Sequence, residues 1–467
     1  MVTRFATSSV VLKFCSVLLM LSAVVSGTVA HAQVTAQTLI GKAVTDDAAT
    51  TEVTGAINRF RDRDIDGCRA ILERVKSNNV KMPPPGVMMA MLWLSVNQLP
   101  PARTELEDTV VKFPKDPEPY LMMGDLAFQD RRVTDADVLF AKAKQLTADY
   151  TENARRKRDF DIRYNAGSAA VAEARKQWET AQTHLAEWLA LDSDNASAHQ
   201  RMGIVLFQLA QLASDQLLRT KLGKESMEQF SEAKKLDPKA VQPELAMARL
   251  YDDAKKKDIA KKLIEAAIVA APKDPAVLLA AAQWYLGQND LDRAKAIADD
   301  SIKLDGKSLE GKVVRGAIAR VSRDYVTAEK FFNEAHVQSP GNFPASNSLA
   351  LVLIESESKE MQQRALEMAE ANAAMHGEKS SQQVNALTTL AWVYYKLGRR
   401  EDAEKILSQI TQNNALTTDG AYYVSKLLSD RGEKDRAKKI LEEVLANEAM
   451  FATRADATEL LAKLKKD

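Results

Sequence analysis

The side chains best suited to acid–base, nucleophilic or metal chemistry are scattered along this chain. No histidine forms an H-E-x-x-H motif or a close pair, the patterns that put two zinc ligands on one helix face; the scattered histidines are His184, His199, His336 and His376. Cys68 has no histidine at a helical neighbour spacing, and we expect a buried, unreactive thiol. No phosphate-binding glycine loop or G-x-S-x-G motif is present. The sequence therefore predicts no catalytic residues, no metal and no cofactor.

Charged clusters have simple solvent-exposed interpretations. Adjacent acids such as Glu401-Asp402 and Asp252-Asp253 lie in or beside polar segments that read as turns. The densest basic run, 155–158 (RRKR), is followed at once by Asp159 and Asp161, which is typical of a solvated helix face rather than a nucleic-acid site.

Composition narrows the fold and the classes of partner. The chain has 467 residues, with 64 Lys and Arg against 64 Asp and Glu, and is 46% apolar but only 6% aromatic. This usage favours helices. A balanced charge argues against nucleic-acid binding and against attachment to anionic lipid by charge alone.

The first thirty-two residues resemble an export signal. Arg4 and Lys13 precede an apolar run at 14–25, and Ala30-His31-Ala32 provides an A-x-A cleavage pattern. We expect 1–32 to be a signal peptide, cleaved near Ala32, which makes the chain exported, either periplasmic or secreted. An uncleaved membrane anchor is the alternative. After cleavage Cys68 is the single cysteine, so no internal disulfide can form.

A spacing of 34 residues organises the rest of the chain. Alanines in an A-x-x-x-apolar-x-x-apolar pattern recur at this interval, and a small residue lies twelve places before each of them; the alanines are Ala102, Ala136, Ala260, Ala294, Ala328, Ala403 and Ala437. Small residues at these two places let two helices approach closely, while large residues at i, i+3, i+4 and i+7 fill the space around the contact. The pattern thus predicts that each unit is a helical hairpin, which must stack on its neighbours to bury its apolar faces. Gly398 and Gly432 suit the helix C-cap of the connecting turns.

The segment 387–407 (LTTLAWVYYKLGRREDAEKIL) carries the pattern best, with Ala391, Gly398 and Ala403 at its small positions. It resembles the tetratricopeptide repeat (TPR) family, in particular exported bacterial TPR proteins. The resemblance implies an all-α solenoid of helical hairpins wound into a right-handed superhelix. We divide the chain into a linker at 33–48, about eleven repeats at 49–451, and a C-terminal capping helix at 452–467.

Two spacings depart from 34 residues. The interval from Ala136 to Ala181 and that from Ala181 to Ser226 are each 45 residues, eleven more than the repeat. Eleven residues are almost three helical turns, so the extra residues near 151–161 and 209–219 can lengthen helices without rotating the buried face. We expect long helices in the middle of the array, as a docking or hinge element or as a neutral insertion.

The resemblance also implies a concave groove lined by the first helix of each repeat. Mapped onto this sequence, the groove positions of the C-terminal repeats are Asn347, Asn385, Thr388, Trp392, Tyr395, Lys396, Tyr422 and Lys426. Aromatic rings supply buried area and amides pair with a peptide backbone. A second patch, 88–94 (MMAMLWL), places Val87, Met91 and Leu94 at groove positions, or else belongs to the core.

The predicted function is a non-enzymatic scaffold in the cell envelope. It would bind a partner protein or peptide in the groove, with polysaccharide export or outer-membrane assembly as the setting suggested by analogy. The sequence suggests contact with membranes only through such partners and does not define an oligomeric state. Two alternatives stay open: a regulatory subunit of an envelope enzyme, and a carbohydrate-binding protein that uses Trp284, Trp392 and Tyr395.

Overall fold

A computed structural model describes residues 34–41, 47–375, 381–410, 416–446 and 450–466. The described residues form 24 helices and no strand. The fold is an all-α helical repeat, as the sequence predicts. The expected signal peptide, 1–32, and His376 lie outside the described residues. The chain divides into two compact units, Met1–Leu250 and Tyr251–Asp467.

The first unit contains a short helix followed by five helical pairs, and the next helix extends across its boundary. Its helices are α1 Ala36–Ile40, α2 Asp47–Arg61, α3 Ile65–Asn78, α4 Pro85–Ser95, α5 Leu99–Lys112, α6 Glu118–Gln129, α7 Val133–Asp149, α8 Ala154–Ala174, α9 Trp178–Leu191, α10 Ala196–Leu212, α11 Gln216–Leu236 and α12 Pro243–Asp253.

In the second unit, five helical pairs lie between single helices at either end. Its helices are α13 Lys257–Ala270, α14 Pro275–Gly287, α15 Leu291–Leu304, α16 Leu309–Val321, α17 Tyr325–Gln338, α18 Phe343–Leu353, α19 Lys359–Met375, α20 Ser381–Lys396, α21 Arg400–Ile410, α22 Thr418–Asp430, α23 Lys434–Leu445 and α24 Arg454–Leu464. The final helix buries Ala457, Leu460 and Leu464.

The turns inside nine of the described hairpins share one geometry. A residue with positive φ ends the first helix, and the next backbone amide donates to a carbonyl five residues earlier, as Gln98 does to Trp93 (2.9 Å) and Arg399 does to Tyr394 (2.9 Å). This is the Schellman arrangement. The positive-φ residues are Arg63, Asn97, Arg131, Lys176, Lys255, Asn289, Arg323, Gly398 and Gly432. The C-cap prediction for both glycines is confirmed, and most of the other turns use Arg or Lys.

The helices pack through the small residues that set the 34-residue interval. A Cβ added to Gly124 would lie 2.7 Å from the Phe140 ring, and one added to Gly316 would lie 2.8 Å from the Phe332 ring. The matching position on the second helix is fully buried throughout; it is held by Cys68, Ala102, Ala136, Ala181, Ser226, Ala260, Ala294, Ala328, Ala403 and Ala437. Close packing at these two places explains the interval.

The segment 33–48 is not the polar linker that we expected. It contains α1, capped by the Thr35 side chain, and Leu39 and Ile40 are at most 2% exposed. They pack in a core with Val53 and Ile57 of α2. The apolar residues Ala36, Leu39 and Ile40, at i, i+3 and i+4, give this short segment a face that the first hairpin buries.

The two extended intervals do lengthen helices. The first extra stretch starts α8 at Ala154, giving a helix of 21 residues. The second extends α10 to Leu212 and gives α11 a length of 21 residues. The predicted long helices in the middle of the array are therefore confirmed.

Candidate functional site

Four aromatic rings on α20 and α22 form what we call the aromatic cluster: Trp392, Tyr395, Tyr422 and Tyr423. Trp392 stacks on Tyr423 with centroids 4.5 Å apart and on Tyr395 with centroids 5.3 Å apart. Tyr422 meets Trp392 edge-on at 5.8 Å. The spacing of Trp392 and Tyr395 puts both on one face of α20, and α22 lies beside that face.

The cluster has a buried base and a partly open outer side. Trp392 is 6% exposed and Tyr423 is 4% exposed, whereas Tyr395 and Tyr422 are half-buried. Trp392 is therefore part of the base rather than a ring open to a partner, which corrects its expected position. Burial raises the pKa of Tyr422 to about 12 and also raises that of Tyr395. All these hydroxyls are neutral at physiological pH.

A polar rim surrounds Tyr395 and Tyr422. The Tyr395 hydroxyl donates to Asp430, and the Lys426 ammonium lies 2.7 Å from the other oxygen of the same carboxylate. Burial acts to raise the pKa of Asp430, but these two hydrogen bonds outweigh it and hold the pKa below its usual value. Lys396, which follows Tyr395 at the end of α20, pairs with Glu355 at 3.0 Å. Both lysines also lie about 6 Å from an aromatic ring, within cation–π range.

A largely buried arginine, which the sequence analysis did not identify, holds the base of the cluster. Arg320, near the end of α16, donates to the Tyr423 hydroxyl at 2.7 Å and to the Asp419 carboxylate at 2.9 Å. The other Asp419 oxygen accepts from the backbone amide and hydroxyl of Thr453, just before α24. These bonds tie α16, α22 and α24 together under the rings.

The remaining predicted groove residues occupy different environments. Thr388 is 3% exposed and its hydroxyl donates to the Val384 carbonyl at 2.7 Å, so this side chain is not open to a partner. Asn385 and Asn347 are half-buried, and the Asn347 Oδ1 atom is buried without a hydrogen-bond partner in the described structure. The structure brings together Trp392, Tyr395, Tyr422 and Lys426, while Asn347 and Asn385 lie outside the aromatic cluster.

The methionine-rich patch belongs to the core. Val87, Met88 and Met89 are fully buried, while Met91 and Leu94 are half-buried against neighbouring core clusters. Val87 is therefore not a groove residue. It is covered because α4 is apolar on every side and lies between other helices.

The cysteine and the histidines of the described residues are buried, half-buried or hydrogen-bonded within the fold. Cys68 is fully buried with its sulfur 3.6 Å from that of Met89, and burial raises the thiol pKa to about 11, as expected for an unreactive cysteine. His184 and His199 are hydrogen-bonded to Asn165 and Gln229, while burial lowers the pKa of His336. Within the described ranges, no group of three or more His, Cys, Asp or Glu residues could hold a metal ion.

One member of the basic run at 155–158 is not on a solvated face. Arg156 is 4% exposed and contacts two carboxylates, those of Asp116 (3.1 Å) and Glu118 (2.7 Å), while also donating to the Tyr150 hydroxyl (2.8 Å). Its guanidinium also lies over the Phe160 ring. The expected solvated face is therefore wrong for Arg156, because acids on the preceding hairpin compensate its buried charge.

Comparison with known proteins gives fold-level similarities only. No family model matches the chain, and no curated protein matches it. Among solved structures it is similar to yeast Tom70 (14% identity, 90% of this chain and 96% of that chain, TM-score 0.38). It is also similar to a tetratricopeptide repeat protein from Parabacteroides merdae (13%, 66% and 99%, TM-score 0.35) and to YrrB, described as a TPR protein with an unusual peptide-binding site (18%, 44% and 98%, TM-score 0.28). The repeat architecture of this chain rests on its own helix pairs and turns.

No helix in the described part of the chain has the length and apolar character needed to cross a membrane.

Proposed function

We propose that this chain, an all-α array of tetratricopeptide-like helical hairpins, is a non-enzymatic scaffold that binds a partner protein or peptide. The proposed contact surface is the open side of the aromatic cluster, formed by Tyr395 and Tyr422 with Lys396 and Lys426 at its rim. One observation carries the proposal: two half-buried tyrosines stand on a rigid base of stacked rings.

Such a surface has the chemistry of a protein contact site. Tyrosine side chains offer a large apolar area and lose little conformational freedom on binding, especially where their base is already fixed. The rim supplies both signs of charge, since Lys396 and Lys426 are paired with Glu355 and Asp430. The carboxylates of a partner would compete with Glu355 and Asp430 for these lysines. The amide groups of a partner would form hydrogen bonds with the rim without breaking either ion pair.

The cell envelope is the proposed location. It is supported by the sequence of residues 1–32, in which two cations, an apolar run and an A-x-A motif follow in the order typical of an export signal. Within the envelope, polysaccharide export and outer-membrane assembly are settings suggested by analogy with exported TPR proteins.

A regulatory subunit of an envelope enzyme is compatible with the same surface and differs only in the identity of the partner. Carbohydrate binding is less well supported. Sugar stacking needs a free ring face, but Trp392 is stacked on Tyr395 and Tyr423 and is 6% exposed. Trp284 is half-buried, with its indole N–H donating to Asp252 at 3.3 Å.

The test is site-specific photocrosslinking in intact cells. A benzophenone amino acid replaces Tyr395 in one variant and Lys405, an exposed residue on the second helix of the same hairpin, in the control. The proposal expects a discrete crosslinked protein at position 395 that is absent at 405. Crosslinks at 405 alone, or none at 395 while the protein remains folded and abundant, would contradict the proposed surface.

A substitution series adds an independent measurement. Tyr395→Ala combined with Tyr422→Ala removes the outer rings but keeps the buried base, so the helices should remain folded. Co-purification of the captured partner should fall at least about tenfold, as expected when central aromatic contacts are lost. The matched control, Glu404→Ala, changes an exposed position on the other helix and should leave capture unchanged.

A further inference from the structure

The hairpin formed by α10 and α11 is longer at its turn than its neighbours. In the two preceding hairpins, the small residues that pack the two helices together are twelve positions apart, as with Gly124 and Ala136 or Ala169 and Ala181. In this hairpin the matching residues, Gly203 and Ser226, are 23 positions apart. Eleven extra residues shared by two helices extend the turn by about 8 Å beyond the usual length.

The extended end, which we call the hairpin tip (residues 212–221), carries exposed leucines. Leu206, Leu209 and Leu222 still pack in the hydrophobic core of the hairpin. Beyond them, Leu212 is 65% exposed, Leu217 is 81% exposed and Leu218 is 45% exposed. Three exposed leucines within seven residues form an apolar patch that internal packing does not explain.

Lysines lie next to these leucines. Residues 216–224 (QLLRTKLGK) contain Arg219, Lys221 and Lys224 and no acid. The side chains of Lys221 and Lys224 are 72% and 80% exposed, and their contacts with Glu225 and Glu228 are long, at 3.7 and 3.8 Å. Exposed ion pairs of this kind contribute little free energy, so both ammonium groups are able to contact an anionic surface.

The other two charged side chains at the tip, Asp215 and Arg219, make hydrogen bonds within the turn. Asp215 is the only acid between residues 195 and 224, and its carboxylate accepts from the backbone amides of Leu217 and Leu218 at the start of α11. Arg219 donates to the Ala213 carbonyl at 2.7 Å. These bonds hold the turn between α10 and α11 and the first residues of α11, which include Leu217 and Leu218.

We propose that the hairpin tip docks on an anionic lipid surface. Leu212, Leu217 and Leu218 enter the boundary between headgroups and acyl chains, while Lys221 and Lys224 face lipid phosphates. The extension of about 8 Å matches the depth of about 5–10 Å to which peripheral apolar faces enter this boundary. An exposed apolar end with adjacent cations fits a bilayer surface better than the aromatic cluster does, whose lysines are paired with Glu355 and Asp430.

The balanced net charge of the chain does not oppose this inference. Net charge governs attraction of the whole molecule, whereas individual exposed cations such as Lys221 and Lys224 act within a Debye length of the bilayer. The proposal is independent of the protein partner proposed above, because the tip and the aromatic cluster lie in different units of the chain.

The test places an environment-sensitive NBD fluorophore on the tip of the full-length protein. Ser214→Cys supplies the labelling site and Cys15→Ser removes a competing thiol, while Cys68 is buried with a thiol pKa of about 11 and stays unlabelled. Vesicles of phosphatidylcholine with phosphatidylglycerol should raise NBD emission at least ~3-fold with a blue shift. Pure phosphatidylcholine vesicles should give a much smaller change.

Matched variants separate the tip from every other membrane contact, including any made by residues 1–32. Leu217→Ser with Leu218→Ser should abolish the response, and Lys221→Gln with Lys224→Gln should weaken vesicle affinity roughly tenfold or more. The control Val111→Ser with Val138→Ser removes two other exposed apolar side chains of the first unit and should leave the response intact. A label at the exposed Ser77 should report no apolar environment.

Three results would overturn the proposal. They are unchanged NBD emission with anionic vesicles, equal responses to neutral and anionic vesicles, and a full response in the Leu217→Ser, Leu218→Ser variant. A tip that binds a protein or a second copy of the chain would give the first result, with protection of the leucines appearing only on adding that protein or on self-association.

Discussion

Arg320 and Tyr423 are 103 positions apart in sequence, yet the Arg320 guanidinium donates to the Tyr423 hydroxyl at 2.7 Å. The same arginine pairs with Asp419 at 2.9 Å, and the side chains of both ion-pair partners are less than one-fifth exposed. A buried charge of this kind requires its partner, because the lone carboxylate would stay dehydrated. Arg320 therefore connects the base of the aromatic cluster to a helix three hairpins earlier.

Arg320→Ala should destabilise the second unit strongly. It leaves Asp419 as a largely buried carboxylate without its cation and Tyr423 without its donor, and breaking a buried pair costs about 3–5 kcal/mol. Urea unfolding followed by far-ultraviolet circular dichroism measures the loss in free energy of unfolding.

Arg323→Ala is the matched control for that experiment. Arg323 lies one turn away and pairs with Asp456 at 2.8 Å, but its side chain is 56% exposed. Exposed pairs contribute about 0–1 kcal/mol. Equal losses for the two variants would contradict the role assigned to Arg320.

Arg156→Met should destabilise the first unit in a pH-dependent way. Burial raises the pKa of Asp116 even with Arg156 beside it, and removing this cation takes away a charge that lowers the pKa. A raised carboxyl pKa favours the folded state at low pH, and this contribution is lost as pH rises through the folded-state pKa. The loss of stability should therefore be largest near pH 7, at about 3 kcal/mol, and should shrink as the pH is lowered towards 5.

Thermal unfolding across this pH range measures the effect, with Arg155→Met as the control on the exposed part of the same turn. A deficit that grows as the pH falls would show that Asp116 is not the group left uncompensated.

Repeat packing was predictable from the sequence because it depends on residues close together in the chain. Gly124 and Ala136, or Gly316 and Ala328, identify the two contacting helix faces by size alone. The lengthened helices followed because eleven added residues preserve the buried face. These local rules located the hairpins and indicated the face of α20 that carries Trp392 and Tyr395.

Long-range charge pairs were not predictable in the same way. Arg156 lies in a basic run that is typical of a solvated face. The acids that pair with it, Asp116 and Glu118, are about 40 residues earlier in the chain. Nothing near Arg320 in sequence indicates Asp419. The same limitation misplaced Trp392, since its burial depends on Tyr423 from the next hairpin.

Gly124→Ala should destabilise the first unit although alanine is the better helix former. The new Cβ would lie 2.7 Å from the Phe140 ring, and this ring cannot retreat because it also lies against Gly167. Overpacking of this kind costs about 1–3 kcal/mol. In the control, Gly223→Ala, the Cβ meets nothing within 4 Å, so helix propensity should raise stability by about 0.5–1 kcal/mol. Differential scanning calorimetry should show melting-temperature changes of opposite sign.

Arg131→Gly should stabilise the first unit by relieving backbone strain in a hairpin turn. Arg131 has φ of 62°, a left-handed conformation that costs a residue with a Cβ about 1 kcal/mol or more and that glycine adopts freely. Its side chain is exposed, so little packing is lost. The reverse change, Gly432→Ala at φ of 92°, should destabilise the second unit by a similar amount, because it introduces the same conflict. Urea unfolding of both variants checks the pair, and stabilisation by Gly432→Ala would contradict a steric role for the left-handed residues in these hairpin turns.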